Sequence, residues 1–537
     1  MDNKGKQIAK QSAILAVVSV LVRIIGVLYR IPMYMILGKE GMGYYTNAFN
    51  IYMYLLIISS YAMPSAISRI VSGQVALKKR KDAHAIFKAS IWLNIIISSI
   101  SAVALFYLAK PYSEFISIPG AEIPIKSLAP SLVIFAVMSS FRGYYQGLHT
   151  MVPTALSQVI EQVFNAAFSI LLSFLLMSKG LNYGAAGGTI GTGIGALAGL
   201  AFLVLVYILY RKTLPKSVFA GNHLRFSAMP KYWKMILMTS IPMVIGTAAF
   251  NISTIIDDIM FNRSLAFHNY SDVEIPILSG ILNNQYTLII TMPIAIATAI
   301  ATASIPSISA AMAVKNMEVM REKVKTVIKG SLLIAMPASV GIFVMAGPIL
   351  KLLFDMGEFE KVTTDILRIG SITVLFFSLS TVGTGILQGL GFVQIPVRSA
   401  VKSILIKILF NFMLFYALNL NLYGAAYANI VFSLASAYFN VSAALRKTKL
   451  KLNYTEIFWR PLGACLIMAG VTLVSYLLFD MFLPANYWGN LLATIPTILI
   501  AMFAYFILII KLSIVSSEEL KAMPLGHKLS ALARKFE

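Results

Sequence analysis

One cysteine, Cys465, stands among 537 residues, so no intrachain disulfide can form and no cysteine cage for a metal exists. The five histidines are scattered and show no zinc-ligand spacing. No G-x-x-x-x-G-K-[ST] run occurs, which excludes use of ATP through that phosphate loop. Charge is scarce at 12% of residues, against about 25% in a soluble domain. Acid is scarcest of all, with 21 Asp+Glu against 44 Lys+Arg and a net charge of +23. Alternation of apolar and polar residues with period two is also missing, which excludes a transmembrane β-barrel.

What fills the chain is hydrophobic sequence, 58% of it, in blocks of twenty or more residues between short polar stretches. About 20 apolar residues span a bilayer as a helix. Fourteen such spans are expected near 11–37, 44–72, 84–109, 123–147, 153–178, 184–210, 233–262, 281–312, 327–350, 364–390, 396–419, 423–445, 457–483 and 488–511. With the N-terminus in the cytoplasm, the basic clusters at Lys4–Lys10, Lys78–Lys81, Arg211–Lys234, Lys315–Lys325, Arg446–Lys451 and Lys511–Lys535 all fall inside. The outer connections hold few, chiefly Lys39, Lys110, Lys179, Arg263, Lys351 and Lys361. This is the positive-inside asymmetry, and it puts both termini in the cytoplasm. The positive charge therefore reads as loop retention and contact with anionic headgroups, not as nucleic-acid binding. The N-terminal lysines lead into a long span without a cleavage site, so the first helix is expected to be retained. Cys465 reads as a packing residue.

The chain repeats itself. Met63-Pro-Ser-Ala-Ile-Ser, Lys88-Ala-Ser, Gln146-Gly-Leu and Tyr183-Gly-Ala-Ala recur as Ile305-Pro-Ser-Ile-Ser, Lys329-Gly-Ser, Gln388-Gly-Leu and Tyr423-Gly-Ala-Ala, at offsets of 242, 241, 242 and 240 residues. Four matches in order, at corresponding places among the spans, mark a duplication. The fold class is thus an all-α polytopic membrane protein of two six-helix lobes in parallel repeat, plus two C-terminal helices. The lobes are placed at 1–215 and 216–450, and the extra pair with a basic tail at 451–537. An even number of spans per unit relates the lobes by an axis along the membrane normal.

Span 1 carries Val22-Arg23-Ile24-Ile25-Gly26, Tyr29-Arg30 and Ile36-Leu37-Gly38; Gly41-Met42-Gly43-Tyr44-Tyr45 follows, and span 2 ends Met63-Pro64-Ser65-Ala66-Ile67-Ser68-Arg69. With the two lobes and the extra helix pair, this resembles the MOP superfamily of exporters and flippases, in particular its polysaccharide-transporter branch of SpoVB-like and MurJ-like proteins. Such sequences show an Arg-x-x-Gly first helix, a Gly-x-Gly-x-Tyr turn and a Pro-x-Ala-Ile-Ser segment before a basic loop. The resemblance covers essentially the whole chain. It implies alternating access around a central cavity, with an undecaprenyl-pyrophosphate-linked precursor carried from the inner to the outer leaflet of the bacterial cytoplasmic membrane. It also implies N-lobe arginines on the diphosphate and a groove for the lipid tail beside the extra helices. The chain departs from the MurJ pattern in span 8, where Ile281–Met312 holds no Lys or Arg.

Moving a diphosphate headgroup through hydrocarbon requires fixed cations in a wet cavity. An arginine at mid-membrane costs roughly 2.5–3.5 kcal/mol on insertion scales, and its fork matches phosphate oxygens. Arg23 and Arg30 are seven residues apart, so they share a helix face about 10 Å apart. The alternative for Arg30 is snorkelling to the outer interface. Arg69, after Pro64, either contacts the diphosphate or meets cytoplasmic headgroups. Arg142 is expected to snorkel at the inner end of span 4. Lys407, the deepest of Arg398, Lys402 and Lys407, is either a second-lobe cargo contact or the ion partner of a buried acid. Glu161, Asp257 and Asp258 are the candidates for coupling to a proton, to sodium or to the membrane potential. The two aspartates diverge by about 100°, and both lie close to the predicted outer end, where a solvated acid is ordinary. The glycines of 184–199 lack a lysine and read as close helix packing.

The sequence therefore points to a flippase without catalytic residues, cofactor or metal. Its partners are an anionic lipid-linked substrate and membrane lipids, with a monomer as the plausible state. A MATE-type exporter of small cations shares the repeat, but the Arg23/Arg30 face argues against cationic cargo. A membrane glycosyltransferase or polymerase is disfavoured because the longest outer connection, about 263–280, holds only Asp272 and Glu274.

Overall fold

The computed structural model describes residues 18, 21–22, 25–26, 28–61, 63–148, 150–213, 229–313, 316–354, 357–512 and 514–515. Among these the chain is helical, with no strand. Eleven helices are long and apolar enough to cross a membrane, from Arg80–Phe115 to Tyr487–Lys511. They coincide with eleven of the fourteen spans expected. The others, near 11–37, 44–72 and 233–262, include stretches outside the described residues or side chains.

The chain forms two compact units, Met1–Asn284 and Gln285–Glu537. The boundary falls later than residue 215, where the repeat divides the sequence, because the span after the repeat boundary packs within the first unit. That unit contains α1 (Arg30–Leu56), α2 (Met63–Ala76), α3 (Arg80–Phe115), α4 (Glu122–Gly147), α5 (Val152–Leu176), α6 (Leu181–Thr213), α7 (Met229–Phe267) and α8 (Glu274–Gly280). The second contains α9 (Thr287–Ala313), α10 (Met317–Leu353), α11 (Glu360–Gly370), α12 (Ile372–Gly389), α13 (Gln394–Asn411), α14 (Asn421–Thr448), α15 (Arg460–Phe482) and α16 (Tyr487–Lys511).

Local chemistry sets the breaks. Gly38 interrupts α1 at φ 63°, ψ −171°, a conformation open essentially only to glycine. The Gly41–Tyr45 stretch, expected as a turn, is helical, and the chain bends at Gly38 instead. A π-turn, Ile57–Tyr61, precedes α2. Pro64 has no N–H for the carbonyl four residues back, which favours such a widening. In α10 the helix departs from regular geometry at Met345, three residues before Pro348. Asn316 and Asn486 cap α10 and α16 by accepting from the backbone N–H of Val319 and Gly489, satisfying donors that a helix start leaves open.

The same packing device recurs in both units. A Cβ added at Gly143 would lie 2.8 Å from Ile67, and one at Gly147 2.6 Å from Val71. The repeat counterparts Gly385 and Gly389 approach Ala301 and Ile308 equally closely, at 2.9 and 3.0 Å. In each case the helix bearing the Gln-Gly-Leu motif lies directly on the span that leads into the charged loop. Around these contacts the first unit buries Ile67, Ile86, Phe87, Met138 and Leu203. The second buries Val324, Leu332, Val382 and Ile386 together with Cys465 and Met468 of α15, so the extra helix pair shares the second unit's core. Large apolar side chains remain exposed along α3, α5, α15 and α16, among them Tyr107, Phe174, Leu477 and Phe503. These are faces for lipid, which is as apolar as the residues themselves.

Candidate functional site

Glycine brings α1 and α8 together. A Cβ on Gly43 would sit 2.0 Å from the Pro276 carbonyl oxygen, so only glycine allows this approach. One turn further along α1, Asn47 donates to Ser279 Oγ at 2.9 Å and to its own helix at Gly43 O at 2.9 Å. Asn262 of α7 donates to Asn47 Oδ1 at 3.2 Å. All three side chains are buried. Helical spacing then continues the polar face of α1 through Asn50 and Tyr54.

Asp258, one turn before Asn262 on α7, is 3% exposed. Its carboxylate accepts from Asn50 Nδ2 at 2.8 Å, Tyr54 OH at 3.0 Å and Asn283 Nδ2 at 3.1 Å. Every one of these donors is neutral. Three hydrogen bonds satisfy the carboxylate's oxygens, while no cation among the described residues balances its charge. Its neighbour Asp257 is half-buried. The acid that sequence placed close to a solvated outer end is therefore enclosed. Its donors come from spans distant in sequence, which is why no local motif announces it.

Arg30 lies at the other end of the same network. Its Nη1 donates to Asn284 Oδ1 at 3.2 Å, and Nε is buried without a hydrogen-bond partner. Asn284 in turn donates to Met42 O at 3.3 Å and to Thr46 Oγ1. Asn283 and Asn284 are adjacent in a π-turn, Ile281–Tyr286. The guanidinium keeps donors to offer to a further acceptor. Arg23 lies outside the described residues, so its expected pairing with Arg30 has no structural counterpart here.

The remaining candidates are elsewhere. Arg69 is exposed on α2. Glu161 of α5 forms an ion pair with Arg142 of α4 at 2.6 Å, with side chains 19% and 13% exposed, and Arg142 Nε donates to Ser157 Oγ at 3.0 Å. Arg142 is thus turned into the helix packing instead of snorkelling. The signal in sequence was the acid nineteen residues downstream in an otherwise apolar span. Lys407, in the second unit, is 3% exposed, donates to Asn429 Oδ1 at 2.8 Å and lies 4.8 Å from the centre of the Phe432 ring. No group of His, Cys, Asp and Glu able to hold a metal ion occurs among the described residues. The glycine-rich α6 packs on α5: Cβ atoms at Gly187, Gly191 and Gly195 would meet α5 at 2.4, 2.3 and 2.5 Å.

Comparison with known proteins places this architecture. The family described as "Polysaccharide biosynthesis protein" matches residues 8–312, and MatE matches residues 280–413. The chain is 26% identical to the uncharacterized membrane protein YabM of Bacillus subtilis (strain 168), over 98% of this chain and 96% of that one. It is 25% identical to the lipid II flippase MurJ of the same organism, over 72% and 74%, and 22% identical to its stage V sporulation protein B, over 97% and 98%. Among solved structures, an inward-facing multidrug resistance MATE transporter of the MOP superfamily superposes with a TM-score of 0.66 at 14% identity, covering 80% of this chain and 98% of that one. Lipid II flippase MurJ in an inward closed conformation gives 0.63 at 19%, covering 92% and 97%.

Proposed function

Because this chain belongs to the polysaccharide biosynthesis protein family, and is a multi-pass MOP-superfamily transporter rather than an enzyme, we propose that it flips an undecaprenyl-pyrophosphate-linked cell-envelope precursor. The cargo is an oligosaccharide or lipid II-type headgroup, carried from the inner to the outer leaflet of the bacterial plasma membrane by alternating access. The observation that carries this reading is Arg30, a half-buried guanidinium whose only hydrogen bond among the described residues goes to a neutral amide and whose Nε has no partner. Arginine in that state is set to receive a phosphate oxygen, because a charge-assisted pair is about twice as strong as a neutral hydrogen bond. Arg23 and Arg69 are the further cations of the first unit assigned to the diphosphate, and Lys407 is assigned a cargo contact within the second unit. Asp258, Asp257 and Glu161 are assigned to ion coupling, with Asp258 foremost because its partners are all neutral. Both termini face the cytoplasm.

The test is leaflet exchange of a fluorescent polyprenyl-pyrophosphate-linked saccharide in liposomes holding the whole protein. Arg30→Ala is expected to slow exchange at least tenfold. Exchange at the wild-type rate in that variant would remove Arg30 from the site. The second reading, ion-coupled export of small cations, draws on the buried Asp258 and on the MatE match at residues 280–413. Cation-gradient-driven dye efflux without lipid exchange would establish it instead.

A further inference from the structure

Two charges of opposite sign are held by adjacent residues of one irregular turn. Asn284 accepts from Arg30 Nη1 at 3.2 Å, and Asn283 donates to Asp258 at 3.1 Å. Both asparagines sit in the π-turn Ile281–Tyr286, a geometry that occurs frequently at functional sites. The chain passes from its first compact unit to its second between Asn284 and Gln285, inside this same turn. Asn284 is 1% exposed and uses both ends of its amide, since its Nδ2 also holds Met42 O and Thr46 Oγ1. It cannot lose Arg30 and keep its present satisfaction.

We infer that Asn283 and Asn284 are positioning residues that link occupancy of Arg30 to the setting of Asp258 through the π-turn. This rests on the diphosphate reading of Arg30. A diphosphate engaged through the unpartnered Nε draws the guanidinium away from Asn284 Oδ1, which now accepts from Nη1. Once displaced, a buried amide oxygen is left unsatisfied, a state costly enough that the side chain and its turn rearrange. Asn283 is the next residue, so a rearranged turn changes the angle at which it meets the Asp258 carboxylate. The reverse holds by reciprocity: a change at Asp258 alters how Arg30 is held, and so the affinity for the anion.

The experiment is amide hydrogen exchange of the full chain in nanodiscs, read over residues 281–286, with and without farnesyl pyrophosphate. Binding is measured in parallel by probe fluorescence competition. In the wild type, the pyrophosphate is expected to speed exchange in this segment at least threefold. Asn284→Leu strands no amide oxygen when Arg30 is drawn away, so it is expected to bind the pyrophosphate at least as tightly as wild type yet to show no exchange response. Asn284→Asp places a carboxylate on Arg30 and is expected to weaken binding at least tenfold, which a merely space-filling role would not do. Binding by the wild type with unchanged exchange, or an undiminished response in Asn284→Leu, would overturn the link while leaving Arg30 as the anion site. A wild-type chain that binds no pyrophosphate would overturn both. Should Asn284→Leu fail to fold, the wild-type exchange response and the Asn284→Asp affinity decide together, and the absence of either effect sinks the link.

Discussion

Removing the charge of Glu161 separates a structural ion pair from a titrating coupling site. Its carboxylate is 2.6 Å from Arg142 Nη2, and both side chains are less than one-fifth exposed. At that distance and an effective dielectric of about 20 the gross attraction is about 6 kcal/mol. Much of this offsets the cost of desolvating two ions. What remains visible is the penalty for stranding one of them, about 3–5 kcal/mol when a buried pair loses a single partner. Glu161→Gln preserves shape and a hydrogen-bond acceptor for Arg142, so the lower figure applies, about 3 kcal/mol. Arg142→Gln is expected to cost a similar amount. The double variant should recover most of the loss, to within about 1 kcal/mol of wild type, because two neutral side chains strand no charge. The assay is a double-mutant cycle of denaturant unfolding in nanodiscs, paired with leaflet exchange in liposomes. Additive losses would refute the pair as an energetic unit. A Glu161→Gln protein of unchanged stability and abolished transport would show that the acid serves transport and not packing.

Three other outcomes follow from geometry. Gly191→Ala should destabilise the first unit by about 1–3 kcal/mol through overpacking, since its Cβ would lie 2.3 Å from Ser169. Gly193→Ala, whose nearest neighbour would be at 3.5 Å, should be neutral or stabilise by up to about 1 kcal/mol, with thermal unfolding as the readout. Gly38→Ala forces a side chain into a φ of 63° and should cost about 1–3 kcal/mol, lowering the unfolding midpoint where Gly193→Ala does not. Glu456 lies in a further π-turn, Thr455–Trp459, just before α15, and accepts from Lys325 at 3.1 Å and Lys329 at 3.5 Å, tying that turn to α10. Glu456→Ala should raise protease sensitivity within 451–486 several-fold, and sensitivity equal to wild type would deny that clamp.

Hydrophobic block length, four repeated motifs and the pattern of the first two spans were enough, from sequence alone, for the all-helical membrane class, the expected duplication and the family resemblance. Hydrophobic length reports directly on bilayer thickness, and the repeated Gln-Gly-Leu glycines report on a contact that each unit makes within itself. Arg30 stood out as a candidate too, because a cation inside an apolar span is conspicuous wherever it lies. Its partner was not: Asn284 is 254 residues away. The Asp258 cradle was equally hidden, since Asn50, Tyr54 and Asn283 become neighbours only when α1, α7 and the π-turn pack together. Arg142 was misplaced at the membrane surface for the same reason, its true partner lying one helix away. Sequence patterns record what each span must meet on average, lipid or protein. Which polar group meets which is set by how closely helices approach, and at Gly43 and Pro276 that approach depends on a single missing side chain.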